Sequence, residues 1–338
     1  MWWIYPVYVV ILVALVYLSM KLGDLVDEMD KKTKISGAFI GGVLLAAVTS
    51  LPELFTSISS VLIVKNPALV IGDILGSDIF DLAALLILTL IWFKNFHTAK
   101  LDKFHIISLI VLLGLYGLAA YAVFAPANWQ LMLGGINAIS IVILIGYILY
   151  LIFQPKKASE EKEESKSKLS LKVIVILFIV VSILIIGASI GITYMTDMIG
   201  DQLPWLSGSV GGAILLGVAT SIPEIISTFQ LFHKKNYDAG FGNMIGSCVF
   251  NFFIIGLADL FSWPAISGDT LVDRGIYVRS PNSMLLVIFG ACTAAITLLF
   301  IVIKNFTKLI KSKGSSLTFS SIFAALGTAF YLLPFFLW

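Results

Sequence analysis

The chain has 338 residues, of which 59% are apolar and only 12% charged, with a mean hydropathy of +1.01 and a formal net charge of +2. This composition excludes a soluble globular domain and indicates an integral membrane protein, and the small net charge does not suggest a nucleic-acid partner. The two cysteines, Cys248 and Cys292, both lie in apolar segments, so neither a disulfide framework nor a CxxC metal site is indicated.

Ten apolar stretches are long enough to cross a bilayer, at about 20 residues for each crossing. We therefore predict an all-α integral membrane protein with ten transmembrane helices. The predicted spans are 3–20, 37–64, 68–93, 104–124 and 128–153 in the first half, then 171–199, 208–234, 238–262, 283–303 and 318–337 in the second.

The sequence QPKKASEEKEESKSK separates the two sets of spans. It is polar and mixed in charge, so it is predicted to be a solvated linker. The predicted organisation is a first five-helix repeat at 1–153, a cytoplasmic linker at 154–170 and a second five-helix repeat at 171–338.

The basic residues lie mostly on one side of these spans. With the N-terminus outside, nineteen of the 22 Lys and Arg residues fall in inside loops, and only Lys65, Arg274 and Arg279 fall outside. Since cytoplasmic loops are enriched in Lys and Arg, we predict a multi-pass plasma-membrane protein with both termini outside and the linker cytoplasmic. An odd number of spans in each half makes the two halves inverted repeats.

Acidic motifs interrupt the second and third spans. TSLPE ends at Glu53 and GDILGSDIFD ends at Asp81. A carboxylate within the membrane is expensive and usually functional, and Pro52 lacks an N–H, which predicts a broken helix at the centre. Thr49 and Glu53 are four residues apart, as are Ser77 and Asp81, so each pair lies on one helix face.

The second half repeats both motifs. TSIPE ends at Glu224, 171 positions after Glu53, and GNMIGSCVFN ends at Asn251, 170 positions after Asp81. Inverted repeats with interrupted helices at mid-membrane are typical of secondary transporters, whose ion sites form between the halves. The glycines near these motifs predict close approach of the second and third spans of each half. They are Gly42, Gly72, Gly76, Gly212, Gly242 and Gly246.

The polar groups of the two copies form an all-oxygen set of carboxylates, hydroxyls, one amide and loosened main-chain carbonyls. Six to eight oxygen ligands suit Ca²⁺, whereas the absence of clustered Cys or His argues against zinc, copper or iron. Na⁺ or H⁺ can neutralise the same acids, so one site can serve two competing ions.

These motifs resemble the cation/Ca²⁺ exchanger superfamily, most closely its prokaryotic Na⁺/Ca²⁺ exchanger branch. The resemblance rests on TSLPE with GSDIFD and on TSIPE with GSCVFN. It implies ten helices in an inverted repeat around four cation sites, with Glu53 and Glu224 as central Ca²⁺ ligands. The other ligands that it implies are Thr49, Ser50, Ser77, Thr220, Ser221, Ser247, Asp81 and Asn251, together with the main-chain carbonyls of Ala46 and Gly217.

Two acids, Asp81 and Asp78, depart from the pattern of that branch. The family more often has Asn at Asp81 and Asp at Asn251, so the acid lies in the other repeat. Asp78 stands where Asn is common, and it is a candidate fourth acid at the edge of the metal site. Asp73, early in the third span, either stabilises a helix N-terminus, faces water or has a function of its own.

The expected function is that of an antiporter, not an enzyme, exchanging Ca²⁺ for Na⁺ by alternating access, as a monomer and without a cofactor. The alternative is an H⁺/Ca²⁺ antiporter, which Asp78 and Asp81 favour. An intramembrane aspartyl protease is disfavoured because the acids form a Glu-led repeat with hydroxyls beside them. A cation channel is disfavoured because channels commonly gain symmetry from rings of subunits. The expected partners are Ca²⁺, Na⁺ or H⁺, and the lipid bilayer.

Overall fold

A computed structural model describes residues 3–63, 68–126, 129–133, 136–154, 169–202, 220–262, 276–277, 280–306 and 313–337. Helices account for nearly all of these residues, as predicted for an all-α protein. Two short strands, β1 (Met132–Leu133) and β2 (Ile136–Asn137), form an antiparallel hairpin, and the other described residues outside helices lie in turns and loops.

The helices are numbered here in chain order. In the first half they are α1 (Ile4–Lys32), α2 (Gly37–Thr49), α3 (Leu51–Leu62), α4 (Ala68–Ile91), α5 (Phe93–Phe96), α6 (Phe104–Phe124) and α7 (Ala138–Phe153). In the second half they are α8 (Leu171–Gln202), α9 (Ile222–His233), α10 (Tyr237–Ser262), α11 (Pro281–Phe306) and α12 (Lys313–Leu337).

Seven of the described helices are long and apolar enough to cross a membrane, and eight if the bent pair α2 and α3 is one span. The predicted fifth span contains only α7, a helix of 16 residues. The predicted seventh span, 208–234, is described only from Thr220 onward. The described chain is thus a multi-pass helical membrane protein, while the count of ten stays a prediction.

Two predicted span boundaries were wrong. Helix α1 continues to Lys32 instead of ending near residue 20, because Leu22, Val26 and Met29 recur at helical spacing and are buried. The stretch taken for a loop is therefore an amphipathic extension of the first helix.

The second boundary is the start of the fifth span, which begins at Ala138 and not at 128. The hairpin precedes it, and the Asn137 side chain accepts a hydrogen bond from the Ile139 N–H at 3.0 Å. Asn at the N-cap position stabilises a helix start, so this residue sets the beginning of α7.

Helix α10 lies at the centre of the bundle and packs against α2, α3, α4, α6, α7 and α9. It is 78% buried over its most apolar window, whereas α1 and α8, which pack against each other, are each 28% buried. The paired α1 and α8 therefore present most of their apolar surface outward, as helices in contact with lipid do.

Hydrogen bonds join the segments at one end of the bundle. They connect Lys32 to the Leu169 carbonyl (2.7 Å), Asn236 to Asp30 (2.9 Å), the Asp102 N–H to Asp238 (2.7 Å) and Lys304 to the Ala99 carbonyl (2.7 Å). The five segments predicted to face the cytoplasm thus share one end of the molecule. Which end faces the cytoplasm stays a prediction.

Glycines allow α2 and α10 to cross with their backbones in contact. A Cβ atom on Gly242 would lie 2.7 Å from the Ala38 carbonyl oxygen and 2.8 Å from the Gly42 nitrogen. The close crossing therefore joins the second span of the first half to the third span of the second half. The expected pairing within one half was wrong here, because a glycine pattern identifies a small surface but not its partner.

This crossing predicts a strong effect of Gly242→Ala. The added methyl group must displace backbone, and overpacking of this kind typically costs about 1–3 kcal/mol. We expect a lower midpoint of thermal unfolding for the purified protein in detergent. Gly146→Ala on α7 is the matched control, because no described atom lies within 4 Å of its added Cβ. Equal midpoints for the two variants would contradict the close crossing.

Candidate functional site

The first acidic motif lies at a break between two helices. Helix α2 ends at Thr49 and α3 begins at Leu51, with a bend of 41° between them. Ser50 at the break has φ −90° and ψ 9°, and Pro52 occupies the first turn of α3. Proline is tolerated there because the first turn of a helix has no carbonyl partner for its N–H. Glu53 follows in the same turn, so the break presents its carboxylate.

The second motif has the same local structure where it is described. Ser221 has φ −80° and ψ 1°, Pro223 lies in the first turn of α9, and Glu224 follows it. The chain just before this break, including Gly217, lies outside the described residues.

The described candidate ligands are all buried, each with at most 1% of its surface exposed. They are Ala46, Thr49, Ser50, Glu53, Ser77, Asp78, Asp81, Thr220, Ser221, Glu224, Ser247 and Asn251. Such burial of acids inside a membrane protein indicates that they serve one another, a neighbouring polar group or an ion.

Direct contacts connect the two motifs. Ser50 Oγ lies 3.0 Å from Glu224 Oε1 and 3.0 Å from Ser247 Oγ. The Thr220 side chain reaches the Glu53 carboxyl with a hydrogen bond. Each motif's hydroxyl therefore contacts the other motif's glutamate, and the fold brings residues from the two halves into one cluster.

The acids of this cluster also lie within electrostatic range of one another. Glu224 interacts with Glu53 and Asp81, and Asp81 interacts with Glu53. Like charges at close range in a low-dielectric interior repel strongly. A bound cation or protons would relieve that repulsion.

Several oxygens at the centre of the cluster have no hydrogen-bond partner among the described residues and no exposure to water. Five of them belong to candidate ligands: Glu53 Oε2, Ser77 Oγ, Asp81 Oδ1, Glu224 Oε2 and Asn251 Oδ1. Buried polar atoms are normally paired, and each unpaired one is costly. Since carboxylate and amide oxygens accept but do not donate when the acid is ionised, a cation is a suitable common partner.

The carboxylates are not by themselves a metal site. Within the described ranges, no group of three or more His, Cys, Asp or Glu side chains is arranged to hold a metal ion. An ion at this position would need hydroxyl, amide and main-chain oxygens beside the acids. This is the mixed oxygen set that the sequence predicts.

The Ala46 carbonyl takes part in helix hydrogen bonding. It accepts the Ser50 N–H at 3.0 Å and lies 3.3 Å from Thr49 Oγ1. A carbonyl oxygen has two lone pairs, so a role as an ion ligand would compete with the Thr49 hydroxyl.

Asp78 lies at the edge of the cluster with both carboxylate oxygens occupied. Its Oδ1 accepts a hydrogen bond from Asn251 Nδ2 at 2.8 Å, and its Oδ2 accepts one from the Tyr116 hydroxyl at 3.2 Å. Gly290 makes room for the Tyr116 ring, since a Cβ atom at 290 would collide with it. Asp78 thus fixes the amide of Asn251, whose carbonyl oxygen is left without a described partner.

Two residues of this site were missed in the sequence. Asn243 donates to the Glu224 carbonyl at 3.1 Å and to Thr228 Oγ1 at 2.9 Å. Its position, 170 residues after Asp73 in the aligned motifs, is a signal that could have identified it. Tyr116 carries no such signal, because one tyrosine in an apolar span has no pattern around it.

Asp73 does not face water. It is 7% exposed, both of its carboxylate oxygens are inaccessible, and neither has a hydrogen-bond partner among the described residues. It also lies five residues after the start of α4 at Ala68, beyond the first turn in which a helix dipole acts. The two structural explanations of this acid are therefore wrong.

Comparison with solved structures shows the same fold in a known transporter. The sodium-calcium exchanger NCX_Mj soaked with 10 mM Na⁺ and zero Ca²⁺ is similar with a TM-score of 0.68 and 19% identity, over 97% of this chain and 98% of that one. The same exchanger soaked with 100 mM Na⁺ and 10 mM Sr²⁺ also has a TM-score of 0.68, with 19% identity over 96% of each chain. At this level of identity the likeness concerns the fold.

Sequence comparison extends the likeness to a family. The uncharacterized membrane protein MJ0091 of Methanocaldococcus jannaschii is 28% identical over 228 residues, which are 65% of this chain and 69% of that protein. The family described as sodium/calcium exchanger protein matches residues 3–155 and 173–336, which include all the candidate ligands and leave out all but the first two residues of the predicted linker. The chain therefore belongs to the sodium/calcium exchanger family, and it is a secondary transporter and not an enzyme.

Proposed function

We propose that this protein exchanges Ca²⁺ for Na⁺ across the plasma membrane by alternating access, with Glu53 and Glu224 as the central Ca²⁺ ligands. The observation that carries the proposal is the set of five buried oxygens, contributed by both halves, that have no hydrogen-bond partner among the described residues. Membership of the exchanger family supports Ca²⁺ and Na⁺ as the ions. NCX_Mj, whose fold this chain shares, is itself a sodium-calcium exchanger.

The ligand chemistry favours a large, hard cation. Ca²⁺ takes six to eight oxygens at about 2.3–2.6 Å in flexible geometry, whereas Mg²⁺ demands a near-ideal octahedron and keeps several waters. The cluster is buried, consists of oxygens and draws on five helices, which suits the flexible coordination of Ca²⁺. The remaining proposed ligands are the hydroxyls of Thr49, Ser50, Ser77, Thr220, Ser221 and Ser247, the side chains of Asp81 and Asn251, and the carbonyls of Ala46 and Gly217.

Charge gives the exchange its physical basis. Glu53, Asp81 and Glu224 carry three negative charges when ionised, and Ca²⁺ neutralises two of them. Once Ca²⁺ leaves, the repulsion among these acids makes the empty and fully charged site unfavourable. Na⁺ ions therefore bind the same carboxylates before the protein changes conformation, and the two ions compete for one set of ligands.

The proposed architecture is that of two inverted repeats, each with five spans. The helix packing supports it, because contacts in one half have counterparts in the other. Helix α3 packs on α10 as α9 packs on α4, and α4 packs on α11 and α12 as α10 packs on α6 and α7. Helices that correspond to each other also pair directly, α1 with α8 and α6 with α11.

An H⁺/Ca²⁺ antiporter is the second candidate. Helix α4 carries three buried acids, Asp73, Asp78 and Asp81, where one acid would be enough to complete the site. Acids inside a membrane commonly form proton relays. Transport measurements that vary Na⁺ and pH separately distinguish the two antiporters.

We expect Glu53→Gln to abolish Ca²⁺ transport, because the amide keeps the shape of the side chain but loses the charge that holds the ion. Glu224→Gln is expected to have the same effect. The measurement is Na⁺-driven Ca²⁺ flux in liposomes containing the purified protein. Glu28→Gln on the α1 extension is the matched control and should transport normally. Full activity of either site variant would contradict the proposed ligands.

Asp81→Asn tests the counter-ion. We expect this variant to keep most of its Ca²⁺ binding, supplied by Glu53 and Glu224, but to change the dependence of transport on Na⁺ concentration. Initial rates of Ca²⁺ flux across a Na⁺ series at fixed pH, and across a pH series at fixed Na⁺, measure this directly. Identical Na⁺ and pH profiles in the variant and the wild type would count against a counter-ion role of Asp81.

Asp78 has the geometry of a positioning residue for Asn251. Asp78→Ala removes the acceptor that fixes the Asn251 amide, and the loss of a residue that orients a ligand typically lowers metal affinity about 10–100-fold. Asp78→Asn, whose amide oxygen can still accept from Asn251, should retain more of the affinity. Equilibrium Ca²⁺ binding to the detergent-purified variants is the measurement. Equal affinities for wild type and Asp78→Ala would overturn this role.

A further inference from the structure

Asp73 is the buried acid that the proposed Ca²⁺ site does not use. It lies on the same face of α4 as Ser77 and Asp81, one turn and two turns before them. At a rise of 1.5 Å per residue, the eight-residue spacing separates Asp73 from Asp81 by about 12 Å along the helix axis. That distance is too long for both carboxylates to bind one ion at 2.3–2.6 Å. An ion held by Asp73 is therefore a different ion from one held by Asp81.

The second repeat shows how the corresponding position is satisfied by a neutral residue. Asn243, which corresponds to Asp73, donates both hydrogens of its amide: one to the Glu224 carbonyl at 3.1 Å and one to Thr228 Oγ1 at 2.9 Å. Its Oδ1 lies 3.4 Å from Thr49 Oγ1. The asparagine thus fastens α10 to α9 directly behind the central glutamate of that repeat.

The first repeat has a hydroxyl residue at the position of Thr228, but it has an aspartate at the position of Asn243. Ser57 corresponds to Thr228, 171 positions earlier, and α3 packs against α4 as α9 packs against α10. Ser57 is 1% exposed, and its Oγ, like both oxygens of Asp73, has no partner within the described part of the chain. An ionised aspartate has no hydrogen to donate, so it cannot form the two bonds that Asn243 forms.

By this correspondence, three oxygen groups are expected at the equivalent place in the first repeat. These are the Asp73 carboxylate, the Ser57 hydroxyl and the Glu53 main-chain carbonyl, the counterparts of the three groups that meet at Asn243. In the second repeat, the two amide hydrogens of Asn243 bind the neighbouring oxygens. A cation beside Asp73 would bind the corresponding oxygens of the first repeat in their place. The single carboxylate carries one negative charge, which a monovalent cation balances. The three oxygen groups are also fewer than the six to eight oxygens that Ca²⁺ takes.

We propose that Asp73 and Ser57, with the Glu53 carbonyl, form an additional Na⁺ site beside the Ca²⁺ site. The inference rests on the proposed function and adds an ion position to it. Asp73 lies within electrostatic range of Glu53. A Na⁺ ion at Asp73 therefore weakens the hold of Glu53 on Ca²⁺, so this site couples Na⁺ binding to Ca²⁺ release.

The experiment is equilibrium binding of radioactive Na⁺ to the purified full-length protein, with Asp73→Asn as the main variant. Asparagine is the residue that the second repeat carries at this place, so the variant is expected to fold. We expect Asp73→Asn to bind one Na⁺ ion fewer than the wild type and to show a lower Hill coefficient for Na⁺ in Ca²⁺ transport. Ca²⁺ affinity in Na⁺-free buffer should be retained.

Two further variants separate the site from its surroundings. Ser57→Ala should weaken the binding of the same Na⁺ ion, because it removes a neutral ligand and keeps the charge. Ser60→Ala, one turn farther along α3 and outside the proposed site, is the matched control and should bind Na⁺ as the wild type does. Equal effects of these two variants would overturn the assignment of Ser57.

The outcomes also distinguish this inference from the proposed function. If wild-type protein exchanges Ca²⁺ for Na⁺ and Asp73→Asn binds the same number of Na⁺ ions, the additional site is wrong while the function stands. If Asp73→Asn changes only the pH dependence of transport, Asp73 carries a proton, and the Na⁺ assignment is overturned. If the wild type itself shows no Na⁺-dependent Ca²⁺ flux, the proposed function fails.

Discussion

The structure depends on one constraint: a carboxylate buried inside a membrane protein needs a partner that cancels its charge. Glu53, Asp81 and Glu224 are buried together, and each retains a carboxylate oxygen without a hydrogen-bond partner among the described residues. No described Lys or Arg forms an ion pair with them. Since burial of an unpaired charge costs several kcal/mol, the folded state of this region is most stable when cations or protons occupy it. Folding and ion binding are thereby linked.

Backbone geometry brings these acids together. Each glutamate follows a helix break at a serine with a proline after it, and each break exposes hydroxyls to the opposite repeat. The glycine crossing of α2 and α10 lets the two halves approach until Ser50 contacts Glu224 and Ser247. Helices α1 and α8 pack on each other, and α1 also packs on α9, where the Ser227 hydroxyl donates to the Ser19 carbonyl at 3.2 Å. The candidate ion site is therefore built from the central, tightly packed helices α2, α3, α4, α9 and α10.

The membrane class, the acidic motifs and their duplication could be predicted from the sequence, because hydropathy and a repeated string at a fixed offset are local signals. The residues that these motifs contact across the fold could not be predicted from the sequence. The glycines indicated close packing but not that Gly42 meets Gly242. The Lys21 to Lys32 stretch looked like a loop because charged residues separate its buried apolar ones. Asp78 was predicted as an edge ligand, yet only the fold shows that Tyr116 and Asn251 occupy its oxygens. Gly217 belongs to the predicted site but lies outside the described residues.

The central claim is that glutamates from the two halves bind one and the same Ca²⁺ ion. Crystals of the protein soaked with Ca²⁺, measured at a wavelength where calcium scatters anomalously, test it most directly. The account predicts one strong anomalous peak at about 2.3–2.6 Å from carboxylate oxygens of both Glu53 and Glu224. A peak bound to only one of them, or a strong peak only at another place in the protein, would contradict it.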